Sequence, residues 1–493
     1  MQLLFRCKSG ESFAGELFYL WHNQRGNRSI LQPSLRSSVP SPIIADIIQI
    51  IIILILYFNG SQRGSDKQMP YISIQGEISM AEELDTIIIG GGQAGISTSY
   101  HLKQHGRDHV ILEQSERAAK AWRERWDSFT LITPNWTIRL PGAEYQGDDP
   151  DGFMHRDDVI SYFEDYIERF DLPIRYGVRV DSVGPIENGY RVTSNAGEFK
   201  AANVVIATGL HQQPKIPPFS SKLPEKILQL HSSQYRNPQD LHEGAVLVVG
   251  SAQSGSQIAE ELYQLGRKVY LSVSTAGRIP RRYRGKDVVL WLDETGMAET
   301  TVDQLASPKD KFGSSAHGTG KDGGHTISMH QFARDGVMLL GRIQDVHEDR
   351  IILAPDLYEN LAKADQFEAD FIQHIDAFID RNGLDAPPER LPELRDGFDV
   401  ELISELDCES AGIRSVIWAT GYKYDFSIVK LPVFDEDGYP LQQRGITKYP
   451  GLFFVGMPFL YNGKSGLLSG VGDDAAHVAS VIVKEGKLER PVV

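Results

Sequence analysis

Two glycine-rich segments, 160 residues apart, carry the residues best suited to chemistry in this chain of 493. The first reads Asp85-Thr86-Ile87-Ile88-Ile89-Gly90-Gly91-Gly92-Gln93-Ala94-Gly95, and the second Val246-Leu247-Val248-Val249-Gly250-Ser251-Ala252-Gln253-Ser254-Gly255. Each is an apolar strand running into a tight turn and then a helix rich in small residues. The first glycine (Gly90, Gly250) makes the turn. The second (Gly92) lets the backbone approach a pyrophosphate, and the third (Gly95, Gly255) lets helix and strand pack closely. The helix N-terminus then offers free N–H groups and a positive dipole end to phosphates. One such loop fits any nucleotide binder; two imply one chain that holds two dinucleotides.

The elements around these loops follow from hydrophobic period and turn residues. The first unit is predicted as strand 85–90, helix 92–105 and strand 108–113, the last ending on Glu113. A carboxylate there suits an adenosine ribose. Residues 122–142 mix Trp122, Arg125, Trp126, Thr133, Asn135 and Trp136 with turn formers, and the aromatics suit either a core or the wall of a flat cofactor ring. An amphipathic helix is predicted over 156–170, with strands at 176–183 and 189–194. Ala207-Thr208-Gly209 ends a buried strand, and Pro214, Pro217 and Pro218 mark a hinge.

The second unit is predicted as strand 245–250, helix 254–265 and strand 268–273. Its last strand ends on Ser272 rather than an acid, followed by Ser274, Thr275, Arg278, Arg281, Arg282 and Arg284. Hydroxyls and guanidinium groups there point to a 2′-phosphate and so to NADPH. Residues 285–345 are rich in Gly and His, and His317, His325 and His330 show no recognisable metal-ligand pattern. Residues 356–383 read as helix, 413–421 as a buried strand ending Ala419-Thr420-Gly421-Tyr422, and 452–456 as another.

The net charge of −16 argues against a nucleic-acid partner. Cys7 and Cys408 form neither a disulfide framework nor a C-x-x-C motif, which suits a reducing cytoplasm. The run from Ile47 to Phe58, extendable back to Ile43, falls short of the ~18 apolar residues a membrane span needs. Met80 lies just before the first strand. Residues 1–79 are therefore read as an extension upstream of the working start, and no membrane contact is expected unless residues 43–58 belong to the native protein.

The constellation Gly90-x-Gly92-x-x-Gly95, Glu113, Ala207-Thr208-Gly209, Gly250-x-Ala252-x-x-Gly255 and Ala419-Thr420-Gly421-Tyr422 resembles the flavin-containing monooxygenase group of flavoproteins. The segment from Trp122 to Pro141 is similar to that of the indole-pyruvate monooxygenases, and the chain is similar to a bacterial subfamily of flavin-dependent oxidoreductases. Two departures stand out. Glu225 and Ile227 occupy the Phe and Gly positions of a monooxygenase signature whose His231 and Tyr235 remain, and Ala252 replaces a glycine.

The resemblance implies an α/β fold of two Rossmann-like domains, with the NADPH domain (216–409) inserted in the FAD domain (80–215 and 410–493). It places FAD on Gly90, Gly92, Gln93, Ala94, Gly95 and Glu113, with adenine against the strand near Val180. Trp122, Arg125 and Thr133 would lie near the isoalloxazine. Ala207, Thr208, Gly209, Gly456 and the turn before a helix starting near Leu467 would close around it. NADPH would lie on Gly250, Ser251, Gln253, Ser254, Gly255, Ser272, Arg278 and Arg281, and Thr420 and Gly421 are expected to bind cofactor as well. The implied reaction is NADPH reduction of the flavin, then O2 activation as a C4a-hydroperoxide that oxygenates a small organic substrate. Asn135 is the candidate hydrogen-bond donor to that oxygen; an Asn after Pro134 also suits its own turn backbone. A flavin dehydrogenase or oxidase without oxygen insertion is the alternative, and a non-catalytic flavin sensor is another. Oligomeric state is open.

Overall fold

A computed structural model describes residues 81–313 and 316–485. Strand β1 (Glu82–Ile89) buries Ile87 and Ile88 completely and runs into the first glycine turn. Helix α1 (Gln93–Gln104) and strand β2 (His109–Leu112) complete the unit, with β2 parallel to β1. Helix α2 (Arg156–Arg169) buries Val159, Ile160, Phe163 and Tyr166, the face its period predicts. Strand β3 (Gly197–Ile206) pairs parallel with the other side of β1. A ribbon of Val180–Ile186 and Gly189–Ser194 leans antiparallel on the first half of β3.

The chain then crosses to a second sheet. Its elements are β4 (Leu228–His231), β5 (Ala245–Val249), α3 (Gln253–Gln264), β6 (Val269–Ser272), β7 (Met338–Leu340), α4 (Leu357–Asn382) and β8 (Ile413–Trp418). The spatial order is β4-β8-β5-β6-β7, parallel throughout. All five residues of β5 are buried, as a parallel strand covered on both faces requires. The chain returns through Tyr422–Lys423, which pairs antiparallel with Gln213–Pro214 to form a two-stranded hinge. Strand β9 (Leu452–Phe454) then pairs parallel with β3, and helix α5 (Val471–Glu485) packs on α1.

Two expected boundaries move. The first domain was expected to resume at 410, but β8 lies in the second sheet, in the slot between β4 and β5. It stands beside β5 as β3 stands beside β1, so the return falls after the hinge strand at 422–423. The last helix starts at Val471 rather than near Leu467, because Leu467 and Gly470 close a preceding turn through Gly470 N–H to Leu467 O at 3.2 Å. The 43–58 run and Met80 lie outside the described residues. No described helix is long and apolar enough to cross a membrane.

The two glycine loops repeat one another atom for atom. Gly90 has φ +109° and Gly250 φ +98°, a region that favours glycine. Gly90 N–H donates to Leu112 O at 2.9 Å and Gly250 N–H to Ser272 O at 3.1 Å, tying each turn to the neighbouring strand. A Cβ on Gly95 would stand 1.9 Å from Gly90 O, and one on Gly255 1.8 Å from Gly250 O. A Cβ on Gly92 would meet nothing within 4 Å. Gly95→Ala is therefore expected to cost the apoprotein ~2 kcal/mol or more by overpacking, while Gly92→Ala leaves it unchanged. Thermal denaturation of the two variants without cofactor checks the contrast.

Candidate functional site

Both helix starts are bare. Gly92 begins α1 and Ala252 begins α3, and neither has a side-chain cap, so the first N–H groups of each helix stand open to an anion. Around the first loop, Glu113 accepts from Gly91 N–H at 2.7 Å and Ser115 N–H at 2.8 Å. These bonds hold its carboxylate at the end of β2 with further lone pairs free for a ribose. The amide of Gln93 donates to Gly466 O at 2.7 Å, which fastens the turn before α5 over the loop. Gly456 lies so close to Ala94 that a Cβ there would stand 2.4 Å from the Ala94 methyl. Ala207 N–H donates to Ile89 O at 2.9 Å, and Gln212 donates to Thr208 Oγ1 at 2.7 Å and Gly209 O at 3.0 Å. The first unit thus gathers Gly90, Gly92, Gln93, Ala94, Gly95, Glu113, Ala207, Thr208, Gly209 and Gly456 at one end of its sheet. Val180 is not the residue nearest Glu113: it pairs with Ser194, whereas Val178 N–H donates to Glu113 O at 2.9 Å. Leu467 is exposed, in the turn rather than on the helix.

The second loop has a roof that sequence reasoning missed. Gln253 clamps Gly318 with both amide atoms, at 2.9 and 2.8 Å, and Gln257 donates to Gly318 O at 2.7 Å. The Nε2–H of His317 donates to Ser251 O. Burial lowers the pKa of His317 to about 4, so its ring is neutral. Ser251 Oγ accepts from Ser274 N–H at 2.9 Å, and Ser254 is half-buried on the first turn of α3. The Gly and His content of 317–325 was the available signal for such close approach, but not for what is approached.

The expected 2′-phosphate cluster is corrected. Ser272 is buried and donates to Gly341 O at 3.1 Å. Arg278 is bound by Asp365 and Glu368 of α4, each at 2.7 Å. Arg281 is buried, forks onto the Asp287 carboxylate at 2.8 and 2.7 Å, and donates to Ile132 O at 2.6 Å. Arg282 is bound to the carbonyls of Gly323 and Gly324, and Arg284 to Asp376. Acids and carbonyls that are mostly remote in sequence neutralise these cations, which join elements of the fold.

The segment 122–136 lies between the two units. Trp122 packs on Phe129 and Phe163, with ring centroids 6.0 and 6.2 Å apart. Thr133 Oγ1 accepts from Thr137 Oγ1 at 2.9 Å. Asn135 is buried: one of its two amide N–H groups donates to Asp149 O at 3.0 Å and its Oδ1 accepts Met154 N–H at 2.8 Å. The amide pins the 149–154 loop. The second domain is fastened to this segment at several points. Ser128 and Tyr235 both donate to the buried Glu261 of α3, at 2.7 and 2.6 Å. Asp127 N–H donates to Arg236 O at 2.8 Å, and Gly320 lies directly against Leu131 O. At the hinge, His231 donates to Gly421 O at 3.0 Å, and Thr420 donates to Lys215 O.

Among the described residues no cluster could hold a metal. His325 pairs with Glu260 at 2.6 Å and His330 with Asp365 at 3.2 Å. Cys408 is buried behind the second sheet, and burial pushes its thiol pKa up to about 11, far from a reactive thiolate.

The family model of the pyridine nucleotide-disulphide oxidoreductases matches residues 87–297. A CzcO-like oxidoreductase of Geobacillus kaustophilus is 33% identical over 406 residues, 82% of this chain and 99% of its own length. An indole-3-pyruvate monooxygenase of Arabidopsis thaliana is 31% identical over 209 residues, 40% of this chain and 50% of its own. Among solved structures, a flavin-containing monooxygenase from Stenotrophomonas maltophilia matches with a TM-score of 0.56 at 19% identity, covering 82% of this chain and 99% of that one; that likeness is one of fold. Fold and loops together define an oxidoreductase with two Rossmann-like dinucleotide-binding domains. The chain belongs to the family of CzcO-like oxidoreductases.

Asn135→Ala is expected to lower stability by about 1–3 kcal/mol, because it strands a buried N–H and a carbonyl; denaturant unfolding measures it. The His325–Glu260 pair gives a pH signature. Glu260 raises the His325 pKa above its ordinary value of 6.5. The pair therefore stabilises fully below about pH 6.5 and its contribution fades as pH rises through the raised value. His325→Gln is expected to lower the Tm at pH 6 and to change it little at pH 9.

Proposed function

We propose that this chain is an FAD-dependent oxidoreductase that consumes NADPH and uses O2 to oxygenate a small organic substrate. One observation carries the reading: two bare helix N-termini, each beneath a glycine turn, on two domains joined by a short double hinge. The cradle fits FAD on the first loop. The space open at Gly92 admits a pyrophosphate to the N–H groups of α1, and Glu113 stands where the ribose would lie. The corresponding start of α3 fits the pyrophosphate of NADPH. Bound FAD supplies a two-electron redox centre between NADPH and O2.

The chain's own residues supply position and shielding. Gln93, by holding Gly466, draws the turn before α5 across the first loop. Gln253, Gln257 and His317 hold a roof on the second. The bond of Ser128 to Glu261 ties the first domain to the second and helps hold the spacing at which two reactive ends would meet. With Ser272, Arg278 and Arg281 engaged elsewhere, Thr275 is the exposed hydroxyl left at the end of β6 to meet a 2′-phosphate.

A flavin oxidase or dehydrogenase is the second reading. It is favoured by the engagement of Asn135, one of whose two amide N–H groups is spent on Asp149 O. Product stoichiometry separates the two. Purified yellow protein should be bleached by NADPH without O2. On turnover with substrate in air, a monooxygenase consumes NADPH and O2 one to one and releases little H2O2. One H2O2 per NADPH with every substrate tried would establish the oxidase. A flavin that NADPH does not bleach would overturn the assignment of the second domain.

A further inference from the structure

Arg125 is a cation without an anion. Among the described residues it forms no ion pair, and its Nε is buried with no hydrogen-bond partner. Its neighbours Arg123 and Arg156 are bound to Glu164 and Asp127. Glu124, an acid whose charge Arg125 feels, is paired instead with Lys120. The hydrogen-bond partner of Arg125 is His211, whose Nε2 lies 3.3 Å from Nη2. Because a guanidinium only donates, His211 must accept on Nε2 and carry its proton on Nδ1.

Arg125 is half-buried beside His211. His211 is solvent-exposed, yet enough protein surrounds it to lower its pKa to about 3. It stacks edge-on against Tyr422, which stacks in turn on His231, at 4.7 and 4.9 Å between ring centroids. His211 follows the Ala-Thr-Gly that ends β3, and Tyr422 follows the one that ends β8. The pair thus stands off the C-terminal ends of both central strands, where open α/β sheets receive ligands. Arg125 also lies over Phe129, 5.6 Å from the ring centroid, with Trp122 packed beside it.

The geometry points to a carboxylate-recognition site at Arg125 and His211, which takes the acid group of an organic substrate while Phe129 and Trp122 flank its apolar body. Phosphates do not account for it. Each dinucleotide's pyrophosphate has its own helix start, at Gly92 or Ala252, and a 2′-phosphate belongs at the end of β6. A guanidinium fork matches a carboxylate in two parallel hydrogen bonds, and His211, by accepting from Nη2, orients that fork. A half-buried guanidinium with no acid partner is suited to the anion of a ligand. This inference rests on the two-dinucleotide reading for the place of the site; it narrows the substrate class to organic acids.

The test is equilibrium binding to the FAD-loaded full chain, read by calorimetry and by perturbation of the flavin spectrum. The probes are benzoate, its neutral analogue benzyl alcohol, and inorganic phosphate. Benzoate is expected to bind saturably, and benzyl alcohol and phosphate at least tenfold more weakly. Arg125→Gln should weaken benzoate at least tenfold, and Arg125→Lys, which keeps the charge but not the fork, by a smaller factor. If Arg125→Gln does not fold, Arg125→Lys and His211→Phe carry the same comparison. Absent benzoate binding, equal affinity for benzyl alcohol or phosphate, or an affinity indifferent to Arg125 and His211 overturns the site. Bleaching of the wild-type flavin by NADPH tests the underlying reading separately. A yellow, NADPH-reducible protein that ignores benzoate overturns only the carboxylate site, whereas a protein that NADPH cannot bleach overturns the cofactor assignment.

Discussion

The close approach of a helix to the carbonyl of its own preceding turn is the constraint on which the rest depends. At Gly95 and at Gly255 the helix backbone comes so near Gly90 O and Gly250 O that no side chain fits. That contact aims the bare start of α1 at the end of β1, and the bare start of α3 at the end of β5. Without it the helix would tilt away, and its N–H groups would no longer converge on one point. The same carbonyl-to-glycine contact appears twice, so two uncapped helix starts are aimed alike on two sheets.

Charge compensation shapes what lies around them. The arginines after β6 look, in sequence, like a phosphate-binding cluster. In the fold, Arg278 meets Asp365 and Glu368, and Arg281 meets Asp287. A forked pair inside a protein strengthens because water does not compete, and each guanidinium so engaged becomes a joint between elements. Arg281 shows this most directly: it joins Asp287 in the second domain to Ile132 in the first. Arg125, which has no acid partner and leaves its Nε unpaired, is not a joint of this kind.

The domains are locked rather than loosely hinged. Ser128 of the first domain donates to the buried Glu261 of the second, which Tyr235 also holds, and the Gly318–His325 stretch is wedged between Leu131 on one side and α3 on the other. Glycine is needed at Gly320 because the chain passes against a carbonyl of the other domain. An interface held by buried polar groups fixes the distance between two bound dinucleotides, since a slip would leave those groups unpaired in low dielectric.

The sequence by itself determined the local units. Strand, turn and helix around Gly90 and Gly250, the place of Glu113, the buried face of α2 and the family were legible, because they depend on residues adjacent in the chain and on the periods of strand and helix. Tertiary structure alone decided three other matters. It assigned β8 to the second sheet, since the chain returns to fill the slot beside β5. It gave the arginines their partners, since Asp365 and Glu368 lie 87 and 90 residues from Arg278. It gave Asn135 its partners in the 149–154 loop. In each case the outcome was set by which groups folding brings within hydrogen-bonding reach, and that is a property of the packed chain rather than of spacing along it.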